Sequence, residues 1–140
     1  MKVMFEGQYA AVSPRRTADS CAAVWLQIRV WHLWHLPRFL AAVAPVIEQA
    51  RRHPGVLRFG FEISWLKLRF RTFGAFDTEA SMRDFVAAGA HGVIYRQLGG
   101  RLGEMSARYG PIAVAELPSH WDDIPASSFA RSTRPTTLSR

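Results

Sequence analysis

Residues 24–30 read Val24-Trp25-Leu26-Gln27-Ile28-Arg29-Val30, and their alternation decides the fold. Val24, Leu26, Ile28 and Val30 fall on one side of an extended chain. Trp25, Gln27, Arg29 and then Trp31 fall on the other. A period of two with apolar groups on one side is the signature of a strand with two distinct faces. Here the second face is not simply polar, because it carries two tryptophans and an arginine.

Downstream, the period changes. Pro37 stands where a first helical turn begins. Phe39, Leu40, Val43, Val46, Ile47 and Ala50 then follow helical spacing, with Pro45 expected to bend the helix and His53-Pro54-Gly55 to end it. Leu57, Phe59, Phe61 and Ile63 form a second alternating strand, and Leu66, Leu68, Phe70 and Thr72 a third, joined by a short link around Ser64–Lys67. Asp77 or Thr78 supplies a side-chain oxygen to cap the next helix, whose apolar stripe is Met82, Phe85 and Val86. After Gly89 a second helical piece carries Val93, Ile94, Leu98, Leu102 and Met105. Tyr109-Gly110-Pro111 reads as a turn and Ile112–Leu117 as the last strand.

The order is β-α-β-β-α-β, the α+β arrangement called ferredoxin-like: a four-stranded antiparallel sheet with helices on one face. The expected organisation is an irregular arm over 1–22, the domain over 23–118, and a flexible tail over 119–140, where Ser, Thr, Pro and Arg dominate. Within the arm, Val3, Met4 and Phe5 have the character of a short pairing segment. A length of 140 residues favours one domain, and a 49% hydrophobic composition suffices for a core. The uncovered sheet face, bearing Trp25, Arg29, Trp31 and Phe73, would expose an apolar patch, which marks an interface or a ligand groove. A homodimer with two-fold symmetry would cover it.

The segment Thr72-Phe73-Gly74-Ala75-Phe76, running into Glu79-Ala80-Ser81-Met82-Arg83-Asp84-Phe85 and then Gly89-Ala90-His91-Gly92, resembles the dimeric α+β barrel superfamily. Within it the resemblance is to the antibiotic-biosynthesis-monooxygenase-like and spheroidene-monooxygenase-like proteins, over roughly residues 23–118. Many relatives carry Ser-x-Trp before the helix. This chain has Gly74-Ala75-Phe76, which keeps the aromatic and loses the hydroxyl. The resemblance implies a monooxygenase-like oxidoreductase acting on a small apolar or aromatic molecule, in a pocket on the open sheet face. Its cofactor is left open between haem and none. The alternative is a non-catalytic dimeric module that binds a hydrophobic ligand or haem.

Within that reading His91 is the catalytic candidate, since an imidazole can ligate iron or accept a proton near neutral pH. Trp25, Arg29, Trp31 and Phe73 are the substrate-binding candidates. Arg29 needs a partner or a bound anion if it is buried, and Glu62 on a neighbouring strand is the expected partner. Lys67, Arg69 and Arg71 alternate along the third strand, and either share Arg29's face or are solvated. His32 and His35 lie three apart but cross a strand–helix junction, so they read as packing and no metal site is expected. The single cysteine, Cys21, allows neither an internal disulfide nor a cysteine-based metal site.

The net charge of +7 is spread along the chain without a basic stripe, so nucleic acid is not an expected partner. Charged residues interrupt every apolar run before membrane-spanning length, so no membrane partner is expected either, and the expected location is cytoplasmic. Phosphate loops, nucleophile elbows and zinc-protease motifs do not occur.

Overall fold

The computed structural model describes residues 1–12, 19–87 and 103–129. Its strands are β1 (Lys2–Glu6), β2 (Ser20–Val30), β3 (Val56–Ser64), β4 (Arg69–Phe76) and β5 (Gly103–Ala113). Its helices are α1 (Leu36–Arg52) and α2 (Glu79–Ala87). The strands make one sheet in the order β1-β3-β4-β2-β5, every neighbouring pair antiparallel. Without β1 this is the expected ferredoxin-like sheet. β1 adds a fifth strand at the outer edge of β3, with Val3 opposite Phe61 and Phe5 opposite Phe59. The stretch read as an irregular arm therefore contains a strand, at the Val3–Phe5 segment the sequence singled out.

Both helices pack on one face. Leu36, Phe39, Val43, Val46 and Ala50 of α1 are buried with Met82 and Phe85 of α2. Beneath them lie Phe59, Phe61, Ile63, Phe70 and Phe76, with Val24 and Ile28 packed alongside. The spacing of the α1 residues, at three or four positions, turns all five to the sheet. Pro45 lies on the exposed side of α1, where losing one N–H leaves the buried stripe intact. Helix α2 is capped by Thr78, whose Oγ1 accepts from Ser81 N–H at 3.0 Å.

Four features differ from the sequence reading, each for a local reason. A bulge between Val56 and Arg58 inserts one residue, so Val56 and Phe59 both meet the helices while Leu57 turns to the opposite face. Residues 65–68 are a turn rather than strand, and Leu68 has φ of 49°, a left-handed conformation that costs a non-glycine residue about 1–2 kcal/mol. Tyr109, Gly110 and Pro111 pair with Val24, Ala23 and Ala22 within β5 instead of forming a turn. β5 is an edge strand, where a proline's missing donor can face outward without breaking the ladder. Met105, read as helical, also lies in β5, opposite Ile28.

The fourth difference concerns the chain end. Residues 114–129, of which 114–117 are expected from the sequence to complete the last strand and 119–129 to begin a tail, run over the sheet as three short 3-10 turns: Val114–Glu116, Trp121–Asp123 and Ala126–Phe129. Arg58 donates to the Pro118 carbonyl at 2.7 Å, and Lys2 pairs with Asp122 at 2.9 Å. Trp121 and Phe129, both buried, stack at 5.5 Å and close over Cys21, Ala23, Leu57, Phe73 and Ala75. The face opposite the helices is therefore not left wet: its apolar part is roofed by the chain's own C-terminal segment.

Candidate functional site

Alternation along β2 and β4 sends Trp25 and Phe73 to the roofed face, where register places them directly opposite. Their rings lie 5.6 Å apart, and the Arg108 guanidinium covers the outer face of Trp25 at 4.5 Å, a cation–π contact. Phe73 is fully buried. The space left here, bounded by Trp25, Gln27, Ser106, Ala107, Arg108, Ser128 and Phe129, is about 10 Å³, room for roughly one water. Trp25 and Phe73 are thus together, and Phe129 occupies the volume beside them.

Further along the same face the lining is cationic. Arg69 and Arg71 flank Glu62 at 3.5 and 4.0 Å, and Arg71 Nε donates to Gln27 at 2.8 Å. Glu62 is thus engaged by these two arginines of the neighbouring strand. Arg29 is exposed and stands opposite Arg69 and Glu104 in register. Partial burial lowers the pKa of Arg71, and repulsion from Arg69 lowers it further, while Glu62 opposes both. Trp31 lies past the end of β2, half-exposed, about six residues or roughly 20 Å along the strand from Trp25, so it does not share Trp25's surroundings. His91 lies outside the described residues. His32 stacks on Trp34 at 4.2 Å and meets His35 edge-on at 5.4 Å, so the pair packs with an aromatic neighbour. Among the described residues no group of three or more His, Cys, Asp or Glu is placed to hold a metal.

A much larger cavity occurs away from Trp25, Arg29, Trp31 and Phe73. A cleft of about 700 Å³ opens between the start of α2 and the paired strands β2 and β5. That is within the range of small-molecule sites, about 300–1,000 Å³. Ala22, Met82, Tyr109 and Pro111 give it apolar surface, while Ser20, Asp77, Thr78 and Glu79 give it polar groups. Asp77 is buried, and its N–H donates to the Gly55 carbonyl at 2.9 Å. The absence of a side chain at Gly55 matters here: a Cβ would come within 2.5 Å of Ser81 Cβ and 3.0 Å of Asp77 Oδ1. Gly55 thus lets the α2 entry sit directly on the loop that follows α1. Cys21 also lines the cleft. Burial pushes its thiol pKa up, and its Sγ donates to the Ile112 carbonyl at 3.6 Å, so it is held as the neutral thiol.

Asp77 is a cleft residue that the sequence did not single out as such. It stood as an alternative to Thr78 for the helix cap, and the cap is Thr78. Only the packing of α2 against Gly55 turns Asp77 into a buried carboxylate beside a cavity.

No protein-family model matches the chain, and no curated protein matches it in sequence. Solved structures do share its architecture. A monooxygenase-like protein from Lactobacillus acidophilus superposes with a TM-score of 0.58 at 8% identity, over 81% of this chain and 51% of that one. A cofactor-independent oxygenase from Streptomyces nogalater does so with a TM-score of 0.50 at 14% identity, over 69% of this chain and 93% of that one. The fold that these proteins share with the chain is ferredoxin-like. A third protein of this shape, from Shewanella oneidensis, matches over 79% of this chain and all of its own length, with a TM-score of 0.54 at 18% identity. The chain spans about half of the Lactobacillus protein, so that protein contains as much again beyond the shared unit. What this fold brings is a scaffold, on which chemistry is set by the site.

Proposed function

We propose that the chain is a small monooxygenase-like oxidoreductase that oxidises an apolar, aromatic molecule in the cleft between α2 and strands β2 and β5. The observation that carries this is the pairing of a cavity of about 700 Å³ with a buried carboxylate, Asp77, on a fold shared with an oxygenase that needs no cofactor. The open-face site that the resemblance implied, at Trp25, Arg29 and Phe73, would require the roof of residues 114–129 to lift. Trp31 would lie outside it.

The chemistry asks little of the protein. An electron-rich phenolic ring supplies both electrons needed to reduce one oxygen atom of dioxygen to water while the other atom enters the ring. A naphthol, for instance, becomes the corresponding quinone as the hydroxyl and one ring carbon each lose hydrogen. The chain must hold the ring, exclude water and take the phenolic proton. Ala22, Met82 and Tyr109 would wall the ring, and Asp77 would take the proton. His91, on the segment that follows α2, keeps the catalytic role that the resemblance gives it, as a second proton acceptor.

The reading does not need haem. Of the residue types that serve as axial ligands to iron, the described lining holds Met82, Tyr109 and Cys21, the last a neutral thiol turned to a backbone carbonyl, and no histidine. The homodimer implied by the resemblance remains part of this proposal.

Oxygen uptake with a panel of naphthols and hydroquinones tests the reading. Uptake matched by quinone formation is expected, reduced about 10²–10⁴-fold in Asp77→Asn and partly retained in Asp77→Glu. Uptake no faster than autoxidation, or unchanged in Asp77→Asn with the fold intact by circular dichroism, would overturn it.

A further inference from the structure

Among the described residues, an apolar surface at one end of the sheet is used by neither the core nor the cleft. Two segments meet at one end of the sheet, where Val30 N–H donates to the Leu68 carbonyl at 2.8 Å. One is the stretch leaving β2, with Trp31, Leu33 and Trp34. The other is the β3–β4 turn, with Trp65 and Leu66. Their fractional exposures are 50% for Trp31, 64% for Leu33, 72% for Trp34, 52% for Trp65 and 98% for Leu66. Single exposed apolar residues need no explanation, but five large ones on two touching segments do. The turn is also held at a cost. Leu68 takes a left-handed backbone conformation while its side chain packs on the helix-side core, which leaves Trp65 and Leu66 at the outer tip.

Charge at this end points to the occupant. Arg29, Arg38 and Lys67 are exposed on the same two segments and the helical turn that follows, with Glu104 standing opposite Arg29. The whole chain carries +7. Tryptophans at the rim, a leucine at the tip and flanking cations are the combination that suits an anionic bilayer surface, where the aromatic rings sit among headgroups and the cations meet acidic lipids. We propose that this end is a peripheral attachment site for anionic lipid bilayers, with Leu66 and Trp34 entering the headgroup layer. No helix among the described residues is long and apolar enough to cross a membrane, and surface attachment needs none. The sequence alone led to the expectation of no membrane partner, because no apolar run reaches spanning length; attachment at the surface would revise that expectation. This inference does not depend on the chemistry of the cleft.

The test is sedimentation of the full chain with vesicles of equal parts phosphatidylglycerol and phosphatidylcholine, against vesicles of phosphatidylcholine alone. Binding is expected to the anionic vesicles, with a blue shift of tryptophan emission, and to weaken between about 0.1 and 0.5 M salt as surface charges are screened. The double variant Trp34→Ser/Leu66→Ser is expected to bind at least about tenfold more weakly with an unchanged melting curve, because both side chains are exposed in the free protein. Equal binding by the variant would overturn the proposal, because charge alone would then account for attachment. So would an absence of vesicle binding, whether or not the same variant abolishes self-association and so assigns the patch to a second copy.

Discussion

Replacing Trp121 by alanine removes the side chain that fastens the C-terminal segment to the open sheet face. A buried tryptophan takes about 150–250 Å² out of water. At about 25 cal/mol per Å² this corresponds to roughly 4–6 kcal/mol. An extended reference chain overstates that area by about 10–40%, and the released segment regains conformational freedom. The net loss expected is about 3 kcal/mol, at the low end of the range of about 3–5 kcal/mol for tryptophan-to-alanine changes in cores. For a domain of this size that lowers Tm by roughly 10 °C. Phe129 loses its stacking partner, and Phe73 and Trp25 become accessible, so the variant should also bind more of a hydrophobic dye than the parent does. Thermal melting with dye fluorescence reads both effects. The neighbouring Asp122→Ala, at an exposed pair with Lys2, is the control and should leave the melting curve unchanged. If Trp121→Ala melts within about 2 °C of the parent and binds no more dye than the parent, the segment is not a roof, and the sheet face must be covered in another way.

Three further outcomes follow from particular contacts. Gly55→Ala forces a Cβ to within 2.5 Å of Ser81 Cβ, so the entry of α2 must shift; a loss of about 1–3 kcal/mol in a denaturant melt is expected, together with weaker binding of aromatic ligands in the cleft. Glu62→Gln leaves Arg69 and Arg71 facing one another in a half-buried setting; it should destabilise the protein by about 1–3 kcal/mol, less so in high salt, as read from urea midpoints at two ionic strengths. Cys21 binds its proton more tightly in the folded chain than its ordinary value of 9.0, so its contribution to stability is complete below that pH and is lost as pH rises through the folded value. Melting curves from pH 8 upward should fall more steeply for the parent than for Cys21→Ala, and alkylation of the native thiol should be slow.

The parts of the fold that were legible in the sequence are those with an unbroken period. The alternation of Val24–Val30 and the spacing of Phe39, Val43 and Val46 each mark the side that meets the helix-side core, and both elements stand where periodicity put them. Legibility failed where another constraint won. Pro111 reads as a breaker because proline disrupts interior strands, yet β5 is an edge. Leu57 reads in phase with Phe59 because a bulge leaves no mark in the hydrophobic pattern. The Trp65–Leu68 turn lacks the glycine or asparagine that usually announces a left-handed residue. Trp121 and Phe129 sit in 3-10 turns too short to show a period, so the roof over the open face could not be seen.

For the site the contrast is sharper. That tryptophans on the reverse of the sheet need cover was legible from Trp25 alone; that the cover belongs to the same chain was not. Trp25 and Phe73 come together as neighbours, but the ring of Phe129 takes the volume beside them. The cleft depends on how α2 docks against Gly55 and on where β5 begins, both tertiary facts, so neither Asp77 nor Tyr109 carried a signal that could have marked it.

The most direct test of where an aromatic ligand binds is a heteronuclear NMR titration of the full chain with a naphthol. Saturable shifts confined to Ala22, Asp77, Met82 and Tyr109, with Trp25 and Phe73 unmoved, are the predicted result. Shifts centred on Trp25 and Phe129, or none that saturate, would contradict the placement of the site between α2 and the sheet.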